Sequence, residues 1–240
     1  MGDTPTNFDV STEQRRSPWG RTPEPLGASR YTWPDPDAWP SRGDVVARGA
    51  DLAPSTIVDA YRRGLFPMEG VDDDNPEEIY WWSPQLRGII PLDGLRVTRS
   101  MRRSARRFVT RINHDFERTV LGCAARVGDD AWITPRFVDA YAELHRLGWA
   151  HSVETYDEHD VLVGGLYGVR IGRFFAGESM FHLQRDASKV ALMALVQLMT
   201  DSDMSLLDTQ WLTPHLQSLG AVGVPRDEYL ALLASAVGTR

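Results

Sequence analysis

The chain has 240 residues, 42% of them hydrophobic, and a formal net charge of −7. That is enough for one large domain or two smaller ones with ordinary globular cores, while the longest apolar run, Val190 to Met199, is only half of a membrane span and contains Gln197. The acidic balance argues against indiscriminate nucleic-acid binding but leaves room for a local basic patch.

Taken in order, residues 1–45 are rich in Pro, Ser, Thr, Gly and charge, so a disordered leader is expected, with order beginning near Asp51. The opening lacks the basic and apolar regions of a signal peptide. Met1 to Thr6 fits the N-myristoylation pattern, read here as a chance match. Pro54-Ser55 leads into an apolar-periodic stretch, Ile57 to Leu65, that predicts a short helix closed by Gly64. Phe66-Pro67-Met68 is followed by an acidic run, Asp72 to Glu78, without the spacing of a calcium loop, and so a solvated loop. After Tyr80-Trp81-Trp82-Ser83-Pro84 comes a strand-like Gly88 to Pro91, and Ser100 to Phe108 reads as helical. The lone cysteine, Cys123, lies in the apolar-patterned stretch Phe116 to Val127. It fits a small core residue and a reducing cytoplasm, since no internal disulfide is possible. Thr134 as N-cap, Pro135 at the first position and Gly148 at the end predict a helix over Arg136 to Leu147. Ser152 to Tyr156 and Val161 to Val169 predict a hairpin turned at Asp157 to Asp160. Phe174 to Phe181 reads as a strand interrupted by Gly177, and Ala187 to Thr200 as a buried helix, apolar on most sides. Leu206 to Leu212 reads as a strand, with short helices at Pro214 to Leu219 and Arg226 to Ala234. This order predicts an α+β or mixed α/β fold around one sheet.

Two features carry chemistry. Between Arg99 and Arg111 stand six arginines and no acid, and Lys189 is the only lysine of the chain. Arg99, Arg102, Arg103, Arg106 and Arg107 recur at three- and four-residue steps, one stripe of a helix. A solvated face is one reading. Like charges at these spacings weaken a helix, however, and a phosphate partner would relieve them, which suits an RNA arm. The second feature is Asp208 and Gln210, two apart in an apolar strand, which predicts both on one face. Either Asp208 caps the turn at Thr213, or the pair faces a cleft. The histidines are too scattered for a zinc site.

The motifs together resemble the leucyl/phenylalanyl-tRNA–protein transferase family. They are Ala60-Tyr61-Arg62-Arg63-Gly64-Leu65-Phe66-Pro67, Trp81-Trp82-Ser83-Pro84, Ser100-Met101-Arg102-Arg103, Trp132-Ile133-Thr134, Gly164 to Val169, Gly177-Glu178-Ser179-Met180-Phe181, Ala187-Ser188-Lys189 and Asp208-Thr209-Gln210. The resemblance implies a small N-terminal α+β domain, placed at 46–90, and a C-terminal domain of the N-acetyltransferase (GNAT) fold at 91–240. It implies transfer of Leu, Phe or less often Met from aminoacyl-tRNA to acceptor proteins whose N-terminal residue is Arg or Lys, marking them for degradation by the N-end rule. The enzyme is expected to be cytoplasmic, monomeric and free of metal and cofactor. Asp208 and Gln210 match the family's catalytic pair, and Arg99, Arg102, Arg103, Arg106 and Arg107 are the tRNA-binding candidates. Glu178 and Ser179 match positions at the aminoacyl moiety, with a paired structural carboxylate as the alternative for Glu178. Leu166, Phe175 and Leu192 match the wall of the amino-acid pocket, and Trp132 the platform for the terminal adenosine. Trp82 and Met68 are further lining candidates; Met68 stands where many members have Trp.

The chemistry is coherent with these residues. An aminoacyl ester is already activated, and an α-amine has an ordinary pKa of about 7.7–8.0. The site therefore needs chiefly positioning and a route for one proton. An acetyl-CoA enzyme of the same fold would carry a Gly-rich turn for pyrophosphate, and His182 to Ser188 contains no glycine. A non-catalytic tRNA-binding module would leave Asp208 and Gln210 without a task.

Overall fold

The computed structural model describes residues 18–69, 78–125 and 132–238. The Met1 to Thr6 pattern and the acidic run up to Glu77 lie outside the described residues. The architecture is mixed α/β. A three-stranded antiparallel sheet contains β1 (Val45–Arg48), β2 (Phe66–Glu69) and β3 (Ile79–Trp82), in the order β1-β3-β2. A seven-stranded sheet contains β4 (Leu86–Ile90), β5 (Val109–Ile112), β6 (Ala150–Tyr156), β7 (Leu162–Ile171), β8 (Phe174–His182), β9 (Leu206–Gln210) and β10 (Val222–Pro225). Its order is β10-β4-β9-β8-β7-β6-β5. The strand at 86–90, expected to close the small N-terminal domain, is thus inside the large sheet, because its apolar residues Ile89 and Ile90 pair with β9.

Helices cover both faces of that sheet. The long α5 (Ala187–Asp201) packs on one, with α2 (Arg99–Ala105) against it. α3 (Phe116–Ala124), α4 (Pro135–Arg146), α1 (Pro54–Arg62) and α7 (Arg226–Val237) pack on the other, and α6 (Pro214–Ser218) follows β9. Strand alternation divides the side chains between two cores. Phe174 and Leu206 go to the α3–α4 side, while Phe175 and Leu207 go to the α5 side. Each such fully buried side chain contributes roughly 1.5–3 kcal/mol by leaving water.

The leader is a correction. Residues 18–44 dock on the body through three tryptophans, Trp19, Trp33 and Trp39, all buried. The Trp19 Nε1 donates to Ser202 Oγ at 2.9 Å, and Trp33 meets Trp81 edge-on at 4.6 Å. A polar average composition hid these large apolar anchors. The helix expected to reach Phe108 stops at Ala105, because Phe108 turns inward to pack with Val163 and Val190. Thr134 occupies the N-cap of α4, but its hydroxyl donates to Glu69 Oε1 at 2.6 Å instead of capping.

One neighbour pair in the large sheet is parallel. β8 and β9 match at Phe174↔Leu206, Phe175↔Leu207 and Ala176↔Asp208, and pairing then stops. β8 continues through His182 beside β7 alone. A bulge lies at this point, between Tyr167 and Gly168. A Cβ on Gly168 would sit 2.1 Å from the Ala176 carbonyl oxygen, so only glycine allows the approach.

Candidate active site

Where β8 and β9 part, they enclose a cavity of about 760 Å³. One wall is the run Gly177 to Leu183; facing it are Thr209, Gln210, Trp211 and the residues up to Leu216. Ile90, Leu166, Leu192, Leu195 and Leu207 form an apolar floor on the α5 side, and Met68, Phe66 and Trp132 close the small-sheet side. Of the expected residues, Gln210, Glu178, Ser179, Trp132, Leu166, Leu192 and Met68 therefore line one space. Phe175 does not. It is fully buried beneath that floor, 5.7 Å from Trp19. Trp82 does not either. It backs Trp211 at 5.6 Å, and Trp211 is the tryptophan that reaches the cavity.

Of Asp208 and Gln210, only Gln210 lines the cavity. The β4–β9 register shifts between Gly88 and Ile89, and Gln210 has a φ of 58°. Gln210, at the end of β9, reaches Glu178 in the cavity, while Asp208 is fully buried against Tyr229 of α7. A left-handed glutamine costs about 1–2 kcal/mol of backbone strain. The Asp208 carboxylate helps hold it, since Oδ1 accepts the Gln210 backbone N–H at 3.0 Å.

Asp208 is otherwise saturated. Arg87 grips it with both arms, Nε to Oδ1 at 2.8 Å and Nη2 to Oδ2 at 2.7 Å, and Tyr229 Oη donates to Oδ2 at 3.0 Å. The same guanidinium donates to the Gly64 carbonyl at 3.0 Å and lies between the rings of Phe66 and Tyr229. It ties the end of α1, β9 and α7 to one carboxylate. Gly88, opposite Gln210, keeps this approach tight, since a Cβ would come within 2.9 Å of the Trp211 backbone.

Glu178 is the acid of the cavity. Its Oε1 accepts Gln210 Nε2 at 3.2 Å, and its Oε2 accepts Tyr141 Oη at 2.8 Å. Tyr61 Oη lies 2.8 Å from Tyr141 Oη. Tyr141 spends its one hydroxyl proton on Glu178, so Tyr61 donates to Tyr141. Burial keeps both phenols protonated by raising their pKa. Burial also lifts the Glu178 carboxyl to about 7, against the pull of the two tyrosines. Sequence reading missed Arg87, Tyr229, Tyr61 and Tyr141. The one available signal was an arginine immediately before the strand-like run Gly88 to Pro91; in the structure it falls inside β4, where a buried arginine asks for a carboxylate.

The arginine stripe is exposed on α2 and the turn after it: Arg99, Arg102, Arg103, Arg106 and Arg107 all face solvent. Arg99, Arg102, Arg103 and Arg106 have no acidic partner among the described residues. The opposite side of α2 is fastened to the start of α5, where Ser100 and Ser104 donate to Asp186 Oδ2 at 2.8 and 3.1 Å. Asp186 sits four residues beyond His182 and two before Ser188, both of which line the cavity. The anchored side of α2 is thus tied close, along the chain, to two residues of the cavity wall.

The family model described as leucyl/phenylalanyl-tRNA protein transferase matches residues 89–234, and that of its N-terminal domain matches 50–85. The chain belongs to this family. A leucyl/phenylalanyl-tRNA–protein transferase of Rhodopseudomonas palustris is 48% identical over 193 residues, covering 78% of this chain and 84% of that one. One from Cereibacter sphaeroides is 48% identical over 188 residues (78% and 86%). One from Tolumonas auensis is 42% identical over 211 residues (86% and 88%). Among solved structures, L-PGS of Bacillus licheniformis aligns at 11% identity with a TM-score of 0.42, over 65% of this chain and 66% of that one, too slight a likeness to define the fold. As a member of this family the protein is an aminoacyltransferase that uses charged tRNA and a protein acceptor.

Proposed function

We propose that the β8–β9 cavity is where the ester of leucyl- or phenylalanyl-tRNA meets the α-amine of an acceptor beginning with Arg or Lys. The observation that carries this reading is the Gln210–Glu178 hydrogen bond across the point where the strands part, at one end of a largely apolar cavity. The apolar floor suits a leucyl or phenylalanyl side chain. Trp132, edge-on to Phe137 at 5.4 Å, offers the base-stacking surface for the terminal adenosine.

In the step, the amine nitrogen attacks the ester carbonyl carbon, the bond to the ribose oxygen breaks, and that oxygen takes up a proton. The nitrogen must release one. Gln210 orients the amine by hydrogen bonding; an amide is too weak a base to do more. Glu178, with a pKa of about 7, is matched to take the proton at neutral pH, and its charge favours a basic acceptor. Asp208 acts as a positioning residue, holding the Gln210 main chain while Arg87 holds it. The stripe beginning at Arg99 supplies phosphate contacts for the tRNA beside the cavity.

The β8–α5–β9 crossover inside an antiparallel sheet supports the GNAT fold, and Asp186 at the start of α5 puts a carboxylate where CoA would need a pyrophosphate cradle. No helix among the described residues is long and apolar enough to cross a membrane, which agrees with a cytoplasmic enzyme. The test is transfer of labelled Phe or Leu from charged tRNA to a peptide beginning with Arg, and none to one beginning with Gly. Absence of transfer beside a working control enzyme sinks the reading.

A further inference from the structure

We propose that the acceptor protein is held by its main chain, added as a short parallel strand along the free edge of β8 from Glu178 to His182. This rests on the reading of the cavity as the transfer site.

β7 satisfies one edge of β8 along its whole length, with Gly165↔Phe181 and Gly164↔His182 as the outer pairs. β9 satisfies the other edge only as far as Ala176. Beyond Gly177, which still lies against the Asp208 carbonyl, no strand pairing or loop hydrogen bond among the described residues engages the second edge of 178–182. All of these residues line the cavity. They present about 17 Å of strand edge, whose N–H and C=O groups repeat at the spacing of a polypeptide and need partners. The donor offers no such repeat. An aminoacyl ester has one amine and one carbonyl, then ribose and phosphate.

The orientation follows from the two ends. At Gly177 the space is closed by the bond from Gln210 Nε2 to Glu178 Oε1. At the other end His182 and Leu183 are exposed, Leu183 at 74%. A protein acceptor must keep its body in solvent and bring only its α-amine to Gln210. Its chain therefore enters over Leu183, and read from N- to C-terminus it runs outward from Gln210 to His182. That is the direction of β8, so the acceptor continues the parallel pairing that β9 abandons at Asp208. Recognition past the first residue is then independent of side chains, as an enzyme that modifies many different N-termini requires.

The test uses hexapeptides beginning with Arg in which the amide N–H of residue 3, 4 or 5 is replaced by an ester oxygen. The first peptide bond is left intact, so the pKa of the amine is unchanged. In a strand only alternate residues bond to one edge. The expected result is a fall in kcat/KM of about fivefold for each edge-facing N–H removed, with residues 3 and 5 responding alike and residue 4 oppositely. KM for the charged tRNA stays constant. Equal rates for all three ester peptides overturn the proposal, as does a loss without alternation. No transfer even to the all-amide peptide overturns the transfer reading and this proposal with it.

Discussion

Glu178 titrates in the range where such an enzyme works. Its ordinary carboxyl value of 4.5 is raised to about 7, first by burial. Folding therefore favours its protonated form, and its contribution to stability is lost as pH rises from 4.5 towards 7. Activity runs the other way, since only the carboxylate can take the amine's proton. The rate of transfer should rise through two ionisations, one near 7 and one from the acceptor amine at about 7.7–8.0. Glu178→Gln should remove the lower one and leave the upper; a profile identical to that of the unmodified enzyme would remove Glu178 from the chemistry. Asp208→Ala leaves the Arg87 guanidinium buried and alone, so it should cost about 3–5 kcal/mol in denaturant unfolding. It should also cut transfer while the folded fraction still binds tRNA. A loss of transfer with no loss of stability would contradict the positioning role. At this scale the sequence located the pair but not its geometry. Alternation puts Asp208 and Gln210 together; the Arg87 clamp on Asp208 and the register shift opposite the pair depend on β4, over a hundred residues away in the chain.

Among the elements, α2 is the one whose surface and anchorage point different ways. Its serines bind Asp186 and its Met101 is buried, leaving the arginines outward in solvent. Replacing Arg102 and Arg103 by alanine should weaken tRNA binding at low salt and reduce the slope of log affinity against log salt by about 1.5. An unchanged slope would return these residues to a solvated face. The long elements α4, α5, β6 and β7 were legible because their periodicity runs for many residues. The four-residue strands β1, β2, β3, β5 and β10 are too short to show a period. The parallel pairing of β8 with β9, on which the cavity depends, is a choice of partner that no local pattern contains.

Across the whole molecule, the segment from Trp19 to Asp44 straps the body, and its first anchor sits on a buried histidine. Trp19 meets His151 edge-on at 5.2 Å, and Asn113 bonds both the Trp19 carbonyl and His151 Nδ1 at 3.0 Å. Burial, reinforced by Arg170, lowers the His151 pKa from 6.5 to about 3. Its folded pKa is depressed, so the unfolded chain takes up the proton first. Stability is full above 6.5 and falls as pH drops towards 3. His151→Phe should lower stability at neutral pH yet flatten its decline between those values, read by denaturant unfolding at several pH values. An unchanged acid slope would place the sensitive group elsewhere. The strap was invisible to composition because three tryptophans do little to the average of a polar segment, although they decide whether it docks.

The half-paired β8 has one more consequence. A bare strand edge is normally an invitation to self-association, and proteins blunt such edges with charge, proline or a covering element. Here the bare length is enclosed, walled by Trp211 to Leu216 and by the small sheet. The molecule can keep a sticky edge without becoming sticky itself, because that edge lines a cavity where another folded sheet has no flat face to pair with.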